Sequence, residues 1–322
     1  MTHWRPTSGP QTAASRAAML RRIRAHFDNA AMLEVDTPAL SPFAVSDTQI
    51  ESLEICHSAV SARPLYLHTS PEFCLKRLLA AGYPDIFSIC RVFRDGESGK
   101  QHQPEFTLIE WYRLDFTLQA IIDDTVAVIR AALAAAAAPA LKLHDYRTLF
   151  VDAIGVDPLT APITSLADAA DADEALRAAI GNERDDWLDL LLATRIAPNF
   201  STASLTVIRH YPASQAALAR LCPADSQVAD RFEIFSGPVE LANGYVELTD
   251  AREQRQRIEA DNANRRLRQR RERPVDSALL AALEHGLPAC AGVAMGLERL
   301  QMLHDKTDDI RDVITFAFEA DA

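Results

Sequence analysis

Two stretches of strict alternation, separated by a polar loop, constrain this chain more than anything else in it. "DIFSICRVFR" (85–94) and "EFTLIEWYRLDF" (105–116) switch side chains with a period of two, and "DGESGKQ" lies between them. That period is the signature of a strand, and the pair reads as a long antiparallel hairpin. On the returning strand Phe106, Leu108, Glu110 and Tyr112 share one face, and Glu105, Thr107, Ile109 and Trp111 the other. A carboxylate among aromatics is out of place in a core. Either that face is the wet side of an edge strand, or it is part of a site. Read as a site, Arg91 and Arg94 end the first strand, where a guanidinium can clamp a phosphate through two parallel hydrogen bonds. His102 opens the return, Phe106 is able to stack on a base, and Glu110 with Tyr112 is able to receive an ammonium.

Around the hairpin, strands and helices do not alternate as in a doubly wound sheet. Met19, Ile23, Phe27 and Ala30 recur at helical spacing from about Ser15 to Asn29, and "MLEVDTPAL" is a short strand ended by Pro38. In "RPLYLHTSPEFCLKRLLAAG" a strand leads to a helix with Ser70 as N-cap, Pro71 first and Gly82 as terminator. Ala-rich text from about 117 to 227, including "AVIRAALAAAAAPA" and "LADAADADEALRAAI", predicts a largely helical section. Strands return in "LTVIRHYP", "RFEIFSGPVELANGYVELTD" and "AGVAMG", broken by a charged helix over 250–272. Residues 1–12 read as a flexible tail. The fold class is therefore α+β, an antiparallel sheet flanked by helices with a helical insertion.

Composition excludes several functions. Net charge is −12 over 322 residues, against the clustered basic surface a nucleic-acid binder needs. The one dense basic run, "NANRRLRQRRERP" at 262–274, reads as a solvated helix face or a local patch. Five lone cysteines with no CxxC suggest neither a disulfide framework nor a cysteine zinc site. With no long apolar run and no signal-peptide core, a cytoplasmic, membrane-free protein is expected.

No GxxxxGK[ST] or GxGxxG is present, so a nucleotide has to be held by another architecture. Two further groupings carry chemistry. Glu233, Glu240 and Glu247 recur seven apart, and a hairpin at Ser236-Gly237-Pro238 brings the first two together. Paired carboxylates suit Mg²⁺; scattered surface acids are the plainer reading. In "AGVAMGLERLQMLH", Gly296 ends a strand, and Arg299 lies in the first helical turn, poorly placed for the helix dipole and well placed for a phosphate.

Together these elements resemble the class II aminoacyl-tRNA synthetases. The helix–strand–Pro38 unit is similar to their motif 1, "FRDGESGKQHQPEF" to motif 2 and "GLERL" to motif 3. Within the class, "TSPEFCLKRLL", "PEFTLIEWY", "ELANGYVELTDAREQ" and "IRDVITF" look lysyl-type. The resemblance covers nearly the whole chain as one catalytic domain over 1–322, without the anticodon-binding domain that precedes a lysyl-tRNA synthetase core. It implies the freestanding lysyl-type branch whose acceptor is elongation factor P rather than tRNA, with (R)-β-lysine and ATP as substrates, Mg²⁺ as cofactor and a homodimer built through about 15–45. Arg94 and Arg299 would be catalytic, holding the α- and γ-phosphates. Glu97, His102, Gln103, Phe106, Glu240, Leu241 and Gly296 would line the ATP. Ser70, Pro71, Glu72, Glu110, Tyr112, Asn243, Glu247 and Ala294 would line the amino acid, and Glu233 with Glu240 would hold Mg²⁺.

Three positions depart from the lysyl pattern. Arg94-Asp95-Gly96 replaces Arg-x-Glu, with Glu97 one place late. His102-Gln103 replaces His-Asn. Ala294 stands where the lysyl enzymes have Gly, and one added methyl there disfavours an α-amino group by about 1–3 kcal/mol. Two alternatives stay open: a ligase using α-lysine with a different acceptor (tRNA or a small molecule), and an inactive paralogue acting as an interaction subunit.

Overall fold

The expected hairpin forms along its full length: Ile86–Phe93 pairs antiparallel with Glu105–Leu114, Ile86 opposite Tyr112 and Phe93 opposite Glu105. The computed structural model describes residues 4–134 and 140–318. Two units are resolved, Met1–Ala134 with Thr249–Ala322, and Ala135–Leu248.

In the first unit, Cys290–Gly296 extends the hairpin antiparallel on its Glu105–Leu114 side, and Leu33–Glu34 adds a parallel edge beside Ile86–Phe87. Period-two alternation sorts the two faces. Trp111 and Phe87 are fully buried against the helix Pro10–Asn29, with the Phe27 ring 4.4 Å from Phe87 and 5.5 Å from Trp111. Met19, Ile23 and Phe27 are the buried stripe of that helix, as their spacing predicts. The Trp111 indole N–H donates to Asp124 on the helix Leu118–Leu133, so the ring is buried without an orphaned donor. The opposite face, bearing Phe106, Glu110 and Tyr112, is covered at one end by the helices Glu72–Ala80 and Ser277–Gly286 through Leu75, Leu79, Tyr112 and Leu283.

Several boundaries moved. The first helix begins at Pro10, five residues before the expected start, because proline at a first helical position has its φ already set. The tail reading of 1–12 is corrected where it is described. Thr7 N–H donates to the Thr315 carbonyl at 2.7 Å, and Ala317 N–H donates to the Thr7 hydroxyl at 3.1 Å; residues 1–3 lie outside the described residues. Pro71 rather than Ser70 occupies the cap position of Glu72–Ala80, although the Ser70 hydroxyl still accepts the Glu72 N–H. Gly82 stands just past that helix at φ +87, the left-handed stop expected of it.

The charged helix ends at Leu267, well short of 272, and the basic run is not a uniformly solvated face. Arg265 is 1% exposed and grips both Glu51 oxygens at 2.7 and 2.8 Å, while Arg273 reaches the same carboxylate at 2.6 Å. Asn262 holds the returning chain by bonding the Arg273 backbone in both directions. Arg266 and Arg271 remain exposed, each on a glutamate.

In the second unit, Arg231–Ser236 lies between Ser204–Arg209 and Val239–Val246, antiparallel to both, and Ala140–Asp145 pairs parallel with Ser204–Arg209. Tyr146, Phe150, Trp187, Leu191 and Phe235 form its core with the surrounding helices. The expected helical section is right in its helices and misses the strand Ala140–Asp145 and the small hairpin Leu221–Cys222/Asp225–Ala229. "ALKLHD" has little pattern of its own and becomes a strand by pairing with a buried one. The end of the alanine run, 135–139, lies outside the described residues. The architecture is α+β with antiparallel pairing, except at the two parallel pairs just named. Among the described residues no helix is long and apolar enough to cross a membrane.

Candidate active site

Glu110 is the centre of a buried polar node in the first unit. Its side chain is 2% exposed and accepts from the Ser70 hydroxyl at 2.7 Å and the Tyr112 hydroxyl at 2.9 Å. Ser88 and Ala294 stand directly opposite it on the two neighbouring strands, so its walls are small. Glu72 lies close enough for its charge to be felt and is itself held by the buried Lys76 ammonium at 2.7 Å, one helical turn on. Burial, and then the Glu72 charge, push the Glu110 carboxyl up to about 8, against the pull of Ser70, Tyr112 and Lys76. A Glu110 carboxyl raised to about 8 holds its proton at neutral pH, and an ammonium beside it would favour the ionised form.

On the same unit, the strand ends carry the groups suited to an anion. The Arg94 guanidinium carbon lies 5.0 Å over the Phe106 ring, and its Nη1 is 3.5 Å from Glu97. Its buried Nε has no hydrogen-bond partner, which leaves a donor available to a ligand. Arg299, in the first turn of Leu297–Asp305, donates to the His102 Nε2 at 2.8 Å; His102 accepts there, which places its ring proton on Nδ1. Gly296 is the N-cap of that helix, and a Cβ there would lie 3.8 Å from Arg299. Gln103 is buried, and its carbonyl accepts the Phe318 N–H at 2.7 Å, so it ties down the loop. Glu298, next to Arg299, is fixed by Arg16 at 2.8 Å and by the Thr107 N–H at 2.9 Å.

The second unit presents its carboxylates on one face. Glu233 stands opposite Asn243, and the register then slips, so that Phe235 stands opposite Glu240. Strict alternation would put Glu240 and Asn243, three apart, on opposite faces. The bulge at Leu241 puts both on the Glu233 face. Glu233 accepts from the Tyr211 hydroxyl and from Arg231, each at 2.6 Å. Burial raises its pKa; Arg231 opposes the rise and Glu240 reinforces it. A hydroxyl and a guanidinium each use one lone pair of the carboxylate oxygens. Two mutually repelling, oxygen-only acids remain a fitting donor set for a hard divalent cation. The Asn243 carbonyl is buried without a hydrogen-bond partner, and Glu247 is 2% exposed beside the Ala219 backbone.

Sequence reasoning missed Lys76, Ser88, Tyr211 and Arg231. Lys76 was within reach, four residues after Glu72 on one helix. Ser88 follows from the hairpin register once the turn is fixed. Arg231 is two residues from Glu233 and shares its face, whereas nothing local connects Tyr211 to Glu233.

Comparison with known proteins gives the family. Residues 2–320 match the family model of tRNA synthetases class II (D, K and N). Curated relatives named elongation factor P–(R)-β-lysine ligase include one from Sodalis glossinidius, 43% identical over 322 residues and covering 98% of each chain. Another, from Pseudoalteromonas translucida, is 42% identical over 321 residues and covers 97% of each. A third, from Mannheimia succiniciproducens, is 41% identical over 316 residues, again with 97% of each chain covered. A family-model match over residues 2–320, with relatives about 40% identical over nearly the full length, makes this protein a member of the class II tRNA synthetase family of the D, K and N type.

Proposed function

We propose that this chain is a cytoplasmic ATP-dependent ligase that adenylates (R)-β-lysine and transfers it to the ε-amine of a lysine on elongation factor P. The observation that carries the reading is the buried Ser70–Glu110–Tyr112 node beside Glu72, an acid-lined pocket able to give up a proton to an arriving ammonium, in a chain similar over its length to ligases of that name.

In the first step a substrate carboxylate oxygen attacks the α-phosphorus of ATP. An acyl–phosphate bond forms, and the bond to pyrophosphate breaks. Arg94 and Arg299 hold the phosphates and offset charge that grows in the transition state, so positioning and electrostatics are sufficient without a side-chain nucleophile. Phe106 supports the adenine, and Glu97, His102, Leu241 and Gly296 complete its surroundings. Glu110, Tyr112 and Glu72 orient the amine groups, and the family resemblance assigns Asn243 and Glu247 to the amino-acid substrate. Glu233 and Glu240 would hold Mg²⁺, which supplies charge neutralisation to the phosphates. In the second step a neutral lysine amine of the acceptor attacks the acyl carbonyl. An amide forms, AMP leaves, and the nitrogen gives up its proton.

Amino-acid-dependent ATP–pyrophosphate exchange tests the reading. Exchange strongest with (R)-β-lysine, with label passing to elongation factor P, is expected. Exchange with α-lysine alone would redirect it to another acceptor, and exchange with neither would overturn it. The proposal includes a homodimer formed through residues 15–45.

A further inference from the structure

The second unit holds a side-chain cluster that plays no part in this chemistry. His210, Cys222 and Asp230 each bring one ligand atom to within 4.8 Å of the others. They come from the end of the strand Ser204–Arg209, from the small hairpin, and from the residue ahead of Arg231–Ser236. We propose that these three side chains form a binding site for a zinc-class transition-metal ion, with the fourth position open to water or an outside ligand.

Three features favour a metal over a chance meeting of polar groups. First, the His210 Nδ1 donates to Asp145 at 2.8 Å, which fixes the ring and turns Nε2 toward Asp230 Oδ1, 3.9 Å away. A carboxylate behind a histidine is the usual means of orienting a metal-bound imidazole. Second, His210 has φ +58, a left-handed conformation that costs a non-glycine residue about 1–2 kcal/mol. The backbone keeps it there with a His210 N–H bond to the Arg231 carbonyl at 2.9 Å. Third, the donor set is mixed: one imidazole nitrogen, one thiol sulfur and one carboxylate. Nitrogen and sulfur select zinc-like ions over Mg²⁺, which demands oxygen. Ligand atoms around a tetrahedral zinc stand about 3.3–3.8 Å apart, so the site closes with small side-chain movements.

Charge is compatible with occupancy. Arg220 bonds Asp230 through Oδ2 at 2.8 Å, leaving Oδ1 on the side of His210, and Arg209 neutralises Asp145 at 2.9 Å. A thiolate and a carboxylate together balance a divalent ion. Tyr211 and Arg231, the two donors to Glu233, directly follow His210 and Asp230 in sequence. A metal here fastens the segment that holds Glu233 in place.

The test uses the full-length protein, stripped with a chelator and titrated with Zn²⁺ and Co²⁺ in saturating Mg²⁺. One Zn²⁺ per chain is expected, and a sulfur-to-cobalt charge-transfer band in the Co²⁺ form. C222S loses the band and the tight binding. H210N does the same with its circular dichroism unchanged, since asparagine tolerates the left-handed conformation. D145N weakens Zn²⁺ binding by about 10–100-fold. Failure to take up Zn²⁺, uptake unaltered in C222S and H210N, a Co²⁺ form without the band, or displacement of Zn²⁺ by Mg²⁺ would each overturn the site. The cluster would then be an imidazole held between Asp145 and Asp230.

Discussion

In the proposed function, Glu110 meets an incoming amine with a proton it has to give up. Burial and the neighbouring Glu72 raise its pKa to about 8, so the carboxyl is protonated at neutral pH and would ionise beside a bound ammonium. The KM for (R)-β-lysine should therefore fall as pH rises through that value. In E110Q the KM should be about 10–100-fold higher and this limb of the pH profile should be flat, in steady-state exchange assays. The same shift bears on stability with a definite sign. Between the usual glutamate range and the raised folded value, the folded protein holds a proton that the unfolded chain has released, so Glu110 lowers stability as pH climbs across that window. Thermal unfolding of E110Q should decline less over it than that of the natural protein. Ala294 stands directly opposite Glu110, and in the proposed function its methyl acts through volume. A294G should narrow the preference for (R)-β-lysine over α-lysine by at least about 10-fold, read as a ratio of kcat/KM values.

At the scale of elements, the sequence was legible where one element decides its own fate. The hairpin's alternation marked both faces and the anomalous acid correctly, because strand period and register are local. The carboxylates of the second unit were harder: their spacing of seven conflicts with a period of two until the bulge at Leu241 is known, and a bulge has no signature in one sequence. The basic run was illegible for another reason. The partner of Arg265 lies 214 residues earlier, and charge runs look solvated until such a partner is found. That pairing has a measurable weight. E51Q leaves the buried Arg265 without its anion, and Arg273 with only Glu54 at 3.5 Å, and should lower unfolding free energy by about 3 kcal/mol in denaturant titrations. Burial alone would raise the Glu51 pKa, yet its bonds to the two arginines hold it below the usual carboxylate range. The contribution is thus complete above that range and is lost as pH falls through the lowered value.

At the scale of the whole molecule, a net charge of −12 fits a ligase that serves a protein better than one that grips tRNA. The class II motifs carried the family across nearly the full chain, because they bind nucleotide and amino acid through separate elements that all have to be present. Assembly was the part least visible from sequence. The helix Pro10–Asn29 spends its apolar stripe on Phe87 and Trp111 within its own chain, so a second copy would need the rest of the 15–45 surface. Light scattering should give twice the chain mass of 35.5 kDa at micromolar concentration; a single-chain mass would remove the dimer from the proposal.

The tethers on the loop between Arg94 and Phe106 reach further than the loop itself. Ile310 N–H is bonded to the Lys100 carbonyl, Phe318 N–H to Gln103, and the segment between them to Thr7. His102, which receives Arg299, sits inside that lashing. Under the proposed function, removing residues 310–318 should slacken the grip on nucleotide while the sheet beneath stays whole. The segment 310–318 therefore works as a brace on the loop that carries His102.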